Sequence, residues 1–242
     1  MAAYGTDLAY IHDAGFGEFA LQSAPGLLKL LRQNGVDHGL VVDLGCGSGI
    51  WARQLGFAGY DVVGVDASPA MIRLARAKAP KAKFITASFV DIAIPRCNAV
   101  TSIGECISYA FAGDKSGRAL ERFFRRVHRA LRPGGVFIFD LAGIGTLNGH
   151  WTGDDWAVLV EGVRNGDLFT RHITTFRRVG TTYRRREETH VVRLYEIDPI
   201  RDALAATGFV SKPLRGFGQY RFRGGHFAML ACKPSLVRGS SR

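Results

Sequence analysis

Short apolar runs alternate with helical patterns over the first part of the chain. Five runs have the length and composition of buried strands: Leu40–Leu44, Asp61–Val65, Lys83–Ala87, Ala99–Ile103 and Val136–Asp140. Apolar residues at helical spacing predict three helices between them, at Ile50–Phe57, from Ser68 to Lys78 and at Lys115–Leu131. Apolar strands that alternate with helices favour an α/β fold with a doubly wound, mostly parallel sheet.

The pattern changes beyond residue 144. Three β-rich runs separated by turn residues predict an antiparallel β insertion: Trp156–Val163, Leu168–Phe176 and Thr181–Leu194. Asp198 and Pro199 then predict the N-cap and first position of a helix that extends to Thr207. Two further strands, Val210–Leu214 and His226–Cys232, complete a seven-stranded sheet.

These patterns divide the chain into three parts. Residues 1–144 and 197–233 form the predicted core, within which residues 1–38 are an N-terminal helical cover. Leucines at helical spacing in Ala24–Gln33, followed by Gly35, support that cover. Residues 145–196 form the antiparallel insertion, and residues 234–242 are expected to be a flexible tail. The run Arg132-Pro133-Gly134-Gly135 predicts a stop between the last core helix and the fifth strand.

Composition and charge limit the kinds of protein and partner that the sequence can represent. The chain has 242 residues and is 47% hydrophobic, which is enough for a large core without staples. No apolar run reaches about 18 residues, so we expect no membrane span. Four cysteines without a CxxC pair predict neither a metal site nor a disulfide framework, and they fit a cytoplasmic protein. The net charge of +11 leaves nucleic acid open as a partner, but the basic residues are spread along the chain, which favours a solvated surface.

The stretch VVDLGCGSG, residues 41–49, carries the clearest chemistry. Its glycines predict a backbone that approaches a ligand closely. A nicotinamide-binding loop would have glycine where Ile50 stands, and a phosphate-binding loop would need a nearby lysine. Asp66 ends the next strand, 17 residues after Gly49, where a carboxylate can accept hydrogen bonds from ribose hydroxyls.

The pattern DxGxGxG, an acid at the end of the second strand and the segment LRPGGVFIFDL together resemble class I S-adenosylmethionine-dependent methyltransferases. The resemblance covers residues 38–143 and 198–233 and implies a Rossmann-like methyltransferase fold with S-adenosylmethionine as cofactor. It also implies a set of cofactor-binding residues: Asp43, Gly45, Cys46, Gly47, Asp66, Ala67, Met71, Ser88, Phe89 and Ile103. Asp91 is an alternative to Ser88, and Asn98 stands where many members carry an acid.

The methyl acceptor must be held in line with the methyl–sulfur bond, and a general base is needed only if the acceptor binds protonated. His12 and Glu105 are the candidate bases, ahead of His150 and His190, while Phe16 and Tyr109 are candidate substrate contacts. His12 also fits a surface position on an amphipathic helix, and Glu105 also fits an acid at a helix N-terminus. Phe16 and Phe19 could line an apolar wall of the site, and they fit equally residues that only anchor the N-terminal helix.

The insertion resembles the antiparallel lid of enzymes that methylate small molecules, including amino-sugar N-methyltransferases. Its arginines, Arg177, Arg178 and Arg184 to Arg186, either recognise an anionic group or form an exposed strand face, and the latter is favoured. The leading hypothesis is methyl transfer to N or O of a small-molecule acceptor. Methylation of RNA or another macromolecule, a non-catalytic S-adenosylmethionine-binding protein and a nicotinamide oxidoreductase are the alternatives. A homo-oligomer is left open.

Overall fold

A computed structural model of the chain describes residues 4–143 and 148–235. Its helices are α1 Thr6–Phe16, α2 Glu18–Gln33, α3 Ile50–Phe57, α4 Pro69–Lys78, α5 Cys106–Ala110, α6 Arg118–Ala130 and α7 Ile197–Ala205. Its strands are β1 Leu40–Leu44, β2 Asp61–Asp66, β3 Lys83–Thr86, β4 Cys97–Ser102, β5 Leu131–Leu141, β6 Gly149–Thr152, β7 Trp156–Asn165, β8 Leu168–Val179, β9 Thr182–Arg193, β10 Val210–Leu214, β11 Gly216–Phe217, β12 Tyr220–Arg221 and β13 Phe227–Cys232. Most predicted bounds lie within one or two residues of these.

The main sheet has seven strands in the order β10-β13-β5-β4-β1-β2-β3. The five strands from β5 to β3 are parallel, and β13 runs antiparallel between β5 and β10. This confirms the predicted doubly wound, mostly parallel seven-stranded sheet with an antiparallel insertion. The strand order reverses beside β1, so the carboxyl ends of β1 and β4 flank the place where such sheets bind ligands.

Both faces of the sheet are covered. On one face, α6 buries Phe123, Phe124 and Val127 against the apolar side of β4 and β5. On the other face, Leu27 and Leu31 of α2 pack with α3 against β1 and β5. Burial on both sides explains why the strands read as nearly continuous apolar runs rather than as alternating ones.

The N-terminal cover consists of two helices that meet at Gly17. The sequence predicted a helical region over residues 1–38 without this break. A side chain at Gly26 in α2 would collide with the backbone of Phe217, so glycine there permits close packing of α2 on the small β11–β12 sheet. The second helix therefore belongs to the core, whereas α1 extends toward the insertion.

The insertion is a four-stranded antiparallel sheet in the order β6-β7-β8-β9. The three predicted β-rich runs correspond to β7, β8 and β9. The first strand, β6, was not predicted because four residues give too little pattern. The inner face of the inserted sheet buries Trp156, Val158 and Ile173 with residues of α1, so the insertion and the N-terminal cover share a small core. Most of the predicted flexible tail, from residue 236 onward, lies outside the described residues.

Two local predictions were wrong. Helix α7 begins at Ile197 after Glu196, so Asp198 and Pro199 lie in the first turn and are not its cap. The run Arg132-Pro133-Gly134-Gly135 is part of β5 and does not interrupt it. Leu131, the first residue of β5, pairs with Cys97 of β4, and the register between the two strands shifts immediately afterwards. A strand end of this kind accommodates proline and glycine because pairing there is irregular.

Candidate active site

The glycine loop leaves β1 through a sharp turn. Gly45, Gly47 and Gly49 all have positive φ, at 76°, 51° and 78°. The amides of Gly45 and Cys46 donate to the carbonyl of Val65, at 2.7 and 3.0 Å, which ties the loop to β2. A Cβ at Gly49 would lie 2.8 Å from the Cα of Ala75, so that glycine allows α3 to pack on α4. A Cβ at Gly47 would meet nothing within 4 Å, so the loop is open to a cleft at that position.

Asp66 lies at the carboxyl end of β2, beside this opening. Its two oxygens accept hydrogen bonds from the amides of Gly47, at 2.9 Å, and Ser68, at 2.8 Å. Burial raises the pKa of Asp66, and the two backbone hydrogen bonds act against that shift. Each oxygen keeps acceptor capacity toward the cleft. The carboxylate is therefore fixed in direction by backbone and available to a ligand.

Asp43 is a second carboxylate at the end of β1, and it is buried. It accepts a hydrogen bond from the hydroxyl of Thr101 at 2.8 Å, and that hydroxyl accepts one from the indole of Trp51 at 3.1 Å. Burial raises the pKa of Asp43 to about 7; the Thr101 hydrogen bond lowers it and the charge of Asp66 adds to the rise. A cationic group in the cleft would stabilise the ionised form.

The cleft encloses about 1060 Å³, including solvent at its mouth. Besides the two carboxylates and the loop glycines Gly45 and Gly47, it is lined by five residues that were predicted as cofactor contacts: Cys46, Ala67, Met71, Phe89 and Ile103. Ser88 does not line the cleft, and its hydroxyl accepts from the amide of Val90 at 3.4 Å. Asp91 is exposed. Asn98 has a structural task, because its amide oxygen accepts from the backbone of Leu40 at 3.2 Å.

Polar contacts hold α1 over the glycine loop. The hydroxyl of Ser48 donates to Asp13 at 2.5 Å, and Lys78 forms an ion pair with the same carboxylate. Ser68 donates to the backbone carbonyl of Tyr4 at 2.6 Å. As a result, Tyr4 and two predicted residues, His12 and Phe16, line the cleft.

The insertion clamps α1 from the other side. Arg177 and Arg184 both pair with the buried Asp7, whose pKa is lowered by its hydrogen bond with Arg184, against the effect of burial. Tyr10 donates to Asp155 at 2.9 Å, and the amide of Gly5 donates to a glutamate of β9 at 3.2 Å. Two of the arginines whose role the sequence did not decide, Arg177 and Arg184, therefore form ion pairs with a carboxylate of the same chain.

The structure gives the predicted bases different surroundings. His12 lies between the rings of Tyr4 and Phe16, at 5.4 and 6.1 Å, and burial lowers its pKa. Glu105 does not line the cleft; its carboxylate pairs with Arg171 of β8 at 3.0 Å.

Arg171 also donates to the hydroxyl of Tyr109, which does line the cleft. His150 is exposed on β6. His190 is buried, with Nε2 3.0 Å from a carboxylate oxygen of Glu188.

Several site residues were missed from the sequence. Tyr4 and Cys106 line the cleft although neither was singled out from the sequence. The buried Asp140 and the partly exposed His226 form a pair beside Gly104 and Phe19, which line the cleft. Asp140 gave a signal that was available, because it ends the fifth apolar strand as Asp43 and Asp66 end the first and second.

Two absences are findings about residues 4–143 and 148–235 alone. No group of three or more His, Cys, Asp or Glu side chains there is arranged to hold a metal ion. No helix within the same ranges is long and apolar enough to cross a membrane.

Comparisons with known proteins agree with this geometry. Residues 41–135 match a family described as a methyltransferase domain. A 2-heptyl-1-hydroxyquinolin-4(1H)-one methyltransferase from Mycobacteroides abscessus is 40% identical over 72 residues, which are 30% of this chain and 31% of that relative. The chain thus spans less than a third of the length of that relative.

Solved structures extend the likeness over nearly the whole chain. An S-adenosylmethionine-dependent methyltransferase from Clostridium acetobutylicum has a TM-score of 0.81 at 20% identity, covering 94% of this chain and 98% of that one. A sugar N-methyltransferase from Streptoalloteichus has a TM-score of 0.79 at 23% identity, covering 97% and 95%. At these identities the likeness concerns the fold. Part of the chain thus matches a methyltransferase domain, and the fold of nearly the whole chain is similar to that of S-adenosylmethionine-dependent methyltransferases.

Proposed function

We propose that this protein transfers a methyl group from S-adenosylmethionine to N or O of a small-molecule acceptor. The observation that carries the proposal is the placement of two carboxylates, Asp43 and Asp66, across an open glycine loop at the point where the strand order reverses. One lies beneath the loop and lacks a cationic partner among the described residues, and the other faces the cleft from β2. This arrangement supports a ligand with an ammonium group at one end and vicinal hydroxyls farther along.

The residues present fit that cofactor. The open side of Gly47 leaves room that a Cβ would fill, so the methionine portion would lie over the loop with its ammonium toward Asp43. Asp66 would accept from the ribose hydroxyls, and Ala67, Met71, Phe89 and Ile103 would form the apolar wall around the adenine. When bound, the cofactor supplies an electrophilic methyl group. Ser88 stays a prediction as an adenine contact, although the structure turns its hydroxyl to a local backbone amide.

The remaining wall supports a small acceptor. Tyr4, His12, Phe16, Phe19 and Tyr109 line one side of the cleft, so this side offers aromatic surface with few charged groups. Helix α1 bounds this side of the cleft, and the insertion packs on α1 and holds it there, which limits the access of bulk water to the reacting groups. The relatives named above methylate a hydroxyquinolone and a sugar nitrogen, which are both small molecules. His12 and Glu105 stay proposals as bases, and Phe16 and Tyr109 stay proposals as acceptor contacts.

The alternatives receive less support. RNA recognition would favour exposed, unpaired arginines near the cleft. Arg171, Arg177 and Arg184 are instead paired with carboxylates of the same chain. A non-catalytic binding protein would not require a covered acceptor side. We further infer a cytoplasmic location, because all four cysteines are free thiols, as expected in a reducing compartment. Fractionation of cells that express the protein checks this location.

Calorimetry with S-adenosylmethionine tests the cofactor site. We expect Asp66→Ala to weaken binding about 100-fold, since it removes a fixed carboxylate that accepts two hydroxyl hydrogen bonds. Asp61→Ala is the matched control, because Asp61 begins the same strand and is exposed. The control should bind as the wild type does. Equal affinity of the Asp66 variant and the wild type would contradict the proposed site.

A further inference from the structure

A histidine–carboxylate pair lies beside two residues that line the cleft, Gly104 and Phe19. His226 immediately precedes β13, and its Nε2 is 2.6 Å from Oδ2 of Asp140, a fully buried residue near the end of β5. Asp140 also accepts from the amides of Gly104, at 2.7 Å, and Glu105, at 2.9 Å. Three donors therefore fix this carboxylate, and the carboxylate in turn fixes the direction of the imidazole.

The hydrogen bond to Asp140 also sets which ring nitrogen carries the proton. A neutral imidazole that donates from Nε2 has its lone pair on Nδ1. Within residues 4–143 and 148–235, Nδ1 of His226 has no hydrogen-bonding partner, and the side chain keeps 18% of its surface exposed. His226 is thus held as an acceptor with an accessible basic nitrogen.

The charges around His226 adjust its basicity. Burial lowers the pKa of His226, but the hydrogen bond and the charge of Asp140 outweigh burial, and the net shift is upward. Glu105, from the loop after β4, adds to the rise, whereas Arg171 of β8 opposes it. A histidine whose pKa is raised by a carboxylate is suited to accept a proton.

His226 also lies next to the acceptor side of the cleft. Its ring is packed against Phe222, with centroids 4.2 Å apart, and faces Phe19 at 6.2 Å. Phe19 and Gly104, both neighbours of the pair, line the cleft. The other histidines are less suited: His12 has no hydrogen-bonded carboxylate in the described parts of the chain, and the side chain of His190 is only 1% exposed.

We propose that His226, oriented by Asp140, is the general base of the reaction and that the acceptor atom is a hydroxyl oxygen. This rests on the proposed methyltransferase function and narrows it. As the oxygen forms its bond to the methyl carbon, the methyl–sulfur bond breaks and its electron pair stays on sulfur. The hydroxyl proton passes to Nδ1 of His226 and from there to solvent. A hydroxyl needs such a base because its neutral oxygen is a poor nucleophile.

Two measurements test this proposal. The first is an NMR titration of the His226 ring in the protein without ligand, in the wild type and in Asp140→Asn. We expect the pKa of His226 to lie above the ordinary histidine value in the wild type and to fall in the variant, because the variant removes the negative charge that stabilises imidazolium. An unshifted pKa, or one that Asp140→Asn leaves unchanged, would overturn the proposal.

The second measurement uses ring-matched acceptors: hydroxy and mercapto derivatives of benzene, naphthalene and quinoline. Aromatic thiols are largely ionised in mildly alkaline buffer and need no base. We expect His226→Gln to lose about 100-fold or more in kcat with the hydroxy compound and far less with the thiol. Melting temperature and S-adenosylhomocysteine binding should match the wild type, which separates a base from a structural residue.

The outcomes separate this proposal from the one on which it rests. A wild-type protein that binds neither S-adenosylmethionine nor its demethylated product contradicts the methyltransferase function itself. A wild type that binds both but methylates none of the hydroxy compounds contradicts the hydroxyl acceptor. Equal losses with the hydroxy compound and the thiol, or no loss in His226→Gln, contradict the role of His226 as base.

Discussion

The two sides of the cleft are built in different ways. The proposed cofactor side takes its principal groups, from Asp43 through the glycine loop to Asp66, from one β–α–β unit of 24 consecutive residues. The proposed acceptor side assembles Tyr4, Tyr109, Arg171 and His226 from four distant segments. Backbone turns define the first side, and contacts among side chains define the second. The cofactor side is therefore fixed by local backbone geometry and can be predicted from the sequence, whereas the geometry of the acceptor side depends on how α1 and the insertion pack.

The strongest test of this comparison is Gly47→Val. Gly47 has positive φ, and a side chain there would project into open space within the cleft. We expect the affinity for S-adenosylmethionine to fall by more than about 100-fold, because the side chain would occupy space that the ligand needs. The left-handed backbone at this position would also strain the loop, at a cost of about 1–3 kcal/mol in stability. Calorimetry measures the affinity.

Gly59→Val is the matched control for that variant. Gly59 also has positive φ, at 89°, an added Cβ there also meets nothing within 4 Å, and the residue lies in the exposed turn before β2. Both variants should lose similar stability, since both force a β-branched residue into a left-handed conformation. Weak binding by both would show that backbone strain, and not the cleft, is responsible for the loss.

Asp43→Asn should weaken cofactor binding less than Gly47→Val does. Unlike Gly47→Val, it should stabilise the folded protein. Burial raises the pKa of Asp43 to about 7, so the folded protein holds this proton more tightly than the unfolded chain, whose aspartate has the ordinary value of 3.8. The aspartate therefore costs stability as pH rises from about 4 to about 7, at about 1.4 kcal/mol per unit of pKa shift. The asparagine variant without ligand should melt at a higher temperature than the wild type at pH 8.

The same substitution should weaken cofactor binding about ten-fold at pH 8, because it removes the charge opposite the ammonium group. Affinity of the wild type should rise as pH increases through about 7, where Asp43 ionises, and affinity of the variant should stay flat over that range. Calorimetry at several pH values measures both. A wild type with a flat profile and a variant with unchanged melting temperature would place the ionisation elsewhere.

The same contrast explains what the sequence could predict. Residues 40–66 combine an apolar strand, closely spaced glycines and a terminal acid, and each of these has a local physical meaning, so the fold and a set of proposed cofactor contacts could be predicted together. Asp140 and His226 are 86 positions apart and meet only because β13 inserts beside β5. Glu105 could be placed after β4, but its pairing with Arg171 depends on the insertion, whose position over the core no local pattern specifies.

The smallest expected effect on activity comes from a variant on the acceptor side of the cleft. Arg184 and Arg185 are neighbours on β9, but Arg184 pairs with the buried Asp7 of α1, whereas Arg185 pairs with Glu187 at the exposed surface. We expect Arg184→Ala to loosen α1, to speed hydrogen exchange at its amides and to raise KM for the acceptor several-fold, while Arg185→Ala changes neither. Cofactor affinity should be nearly the same in both variants, because the glycine loop and Asp66 take their geometry from β1 and β2. If Arg184→Ala instead weakens cofactor and acceptor equally, the two sides of the cleft are coupled through α1, by way of the contact between Ser48 and Asp13.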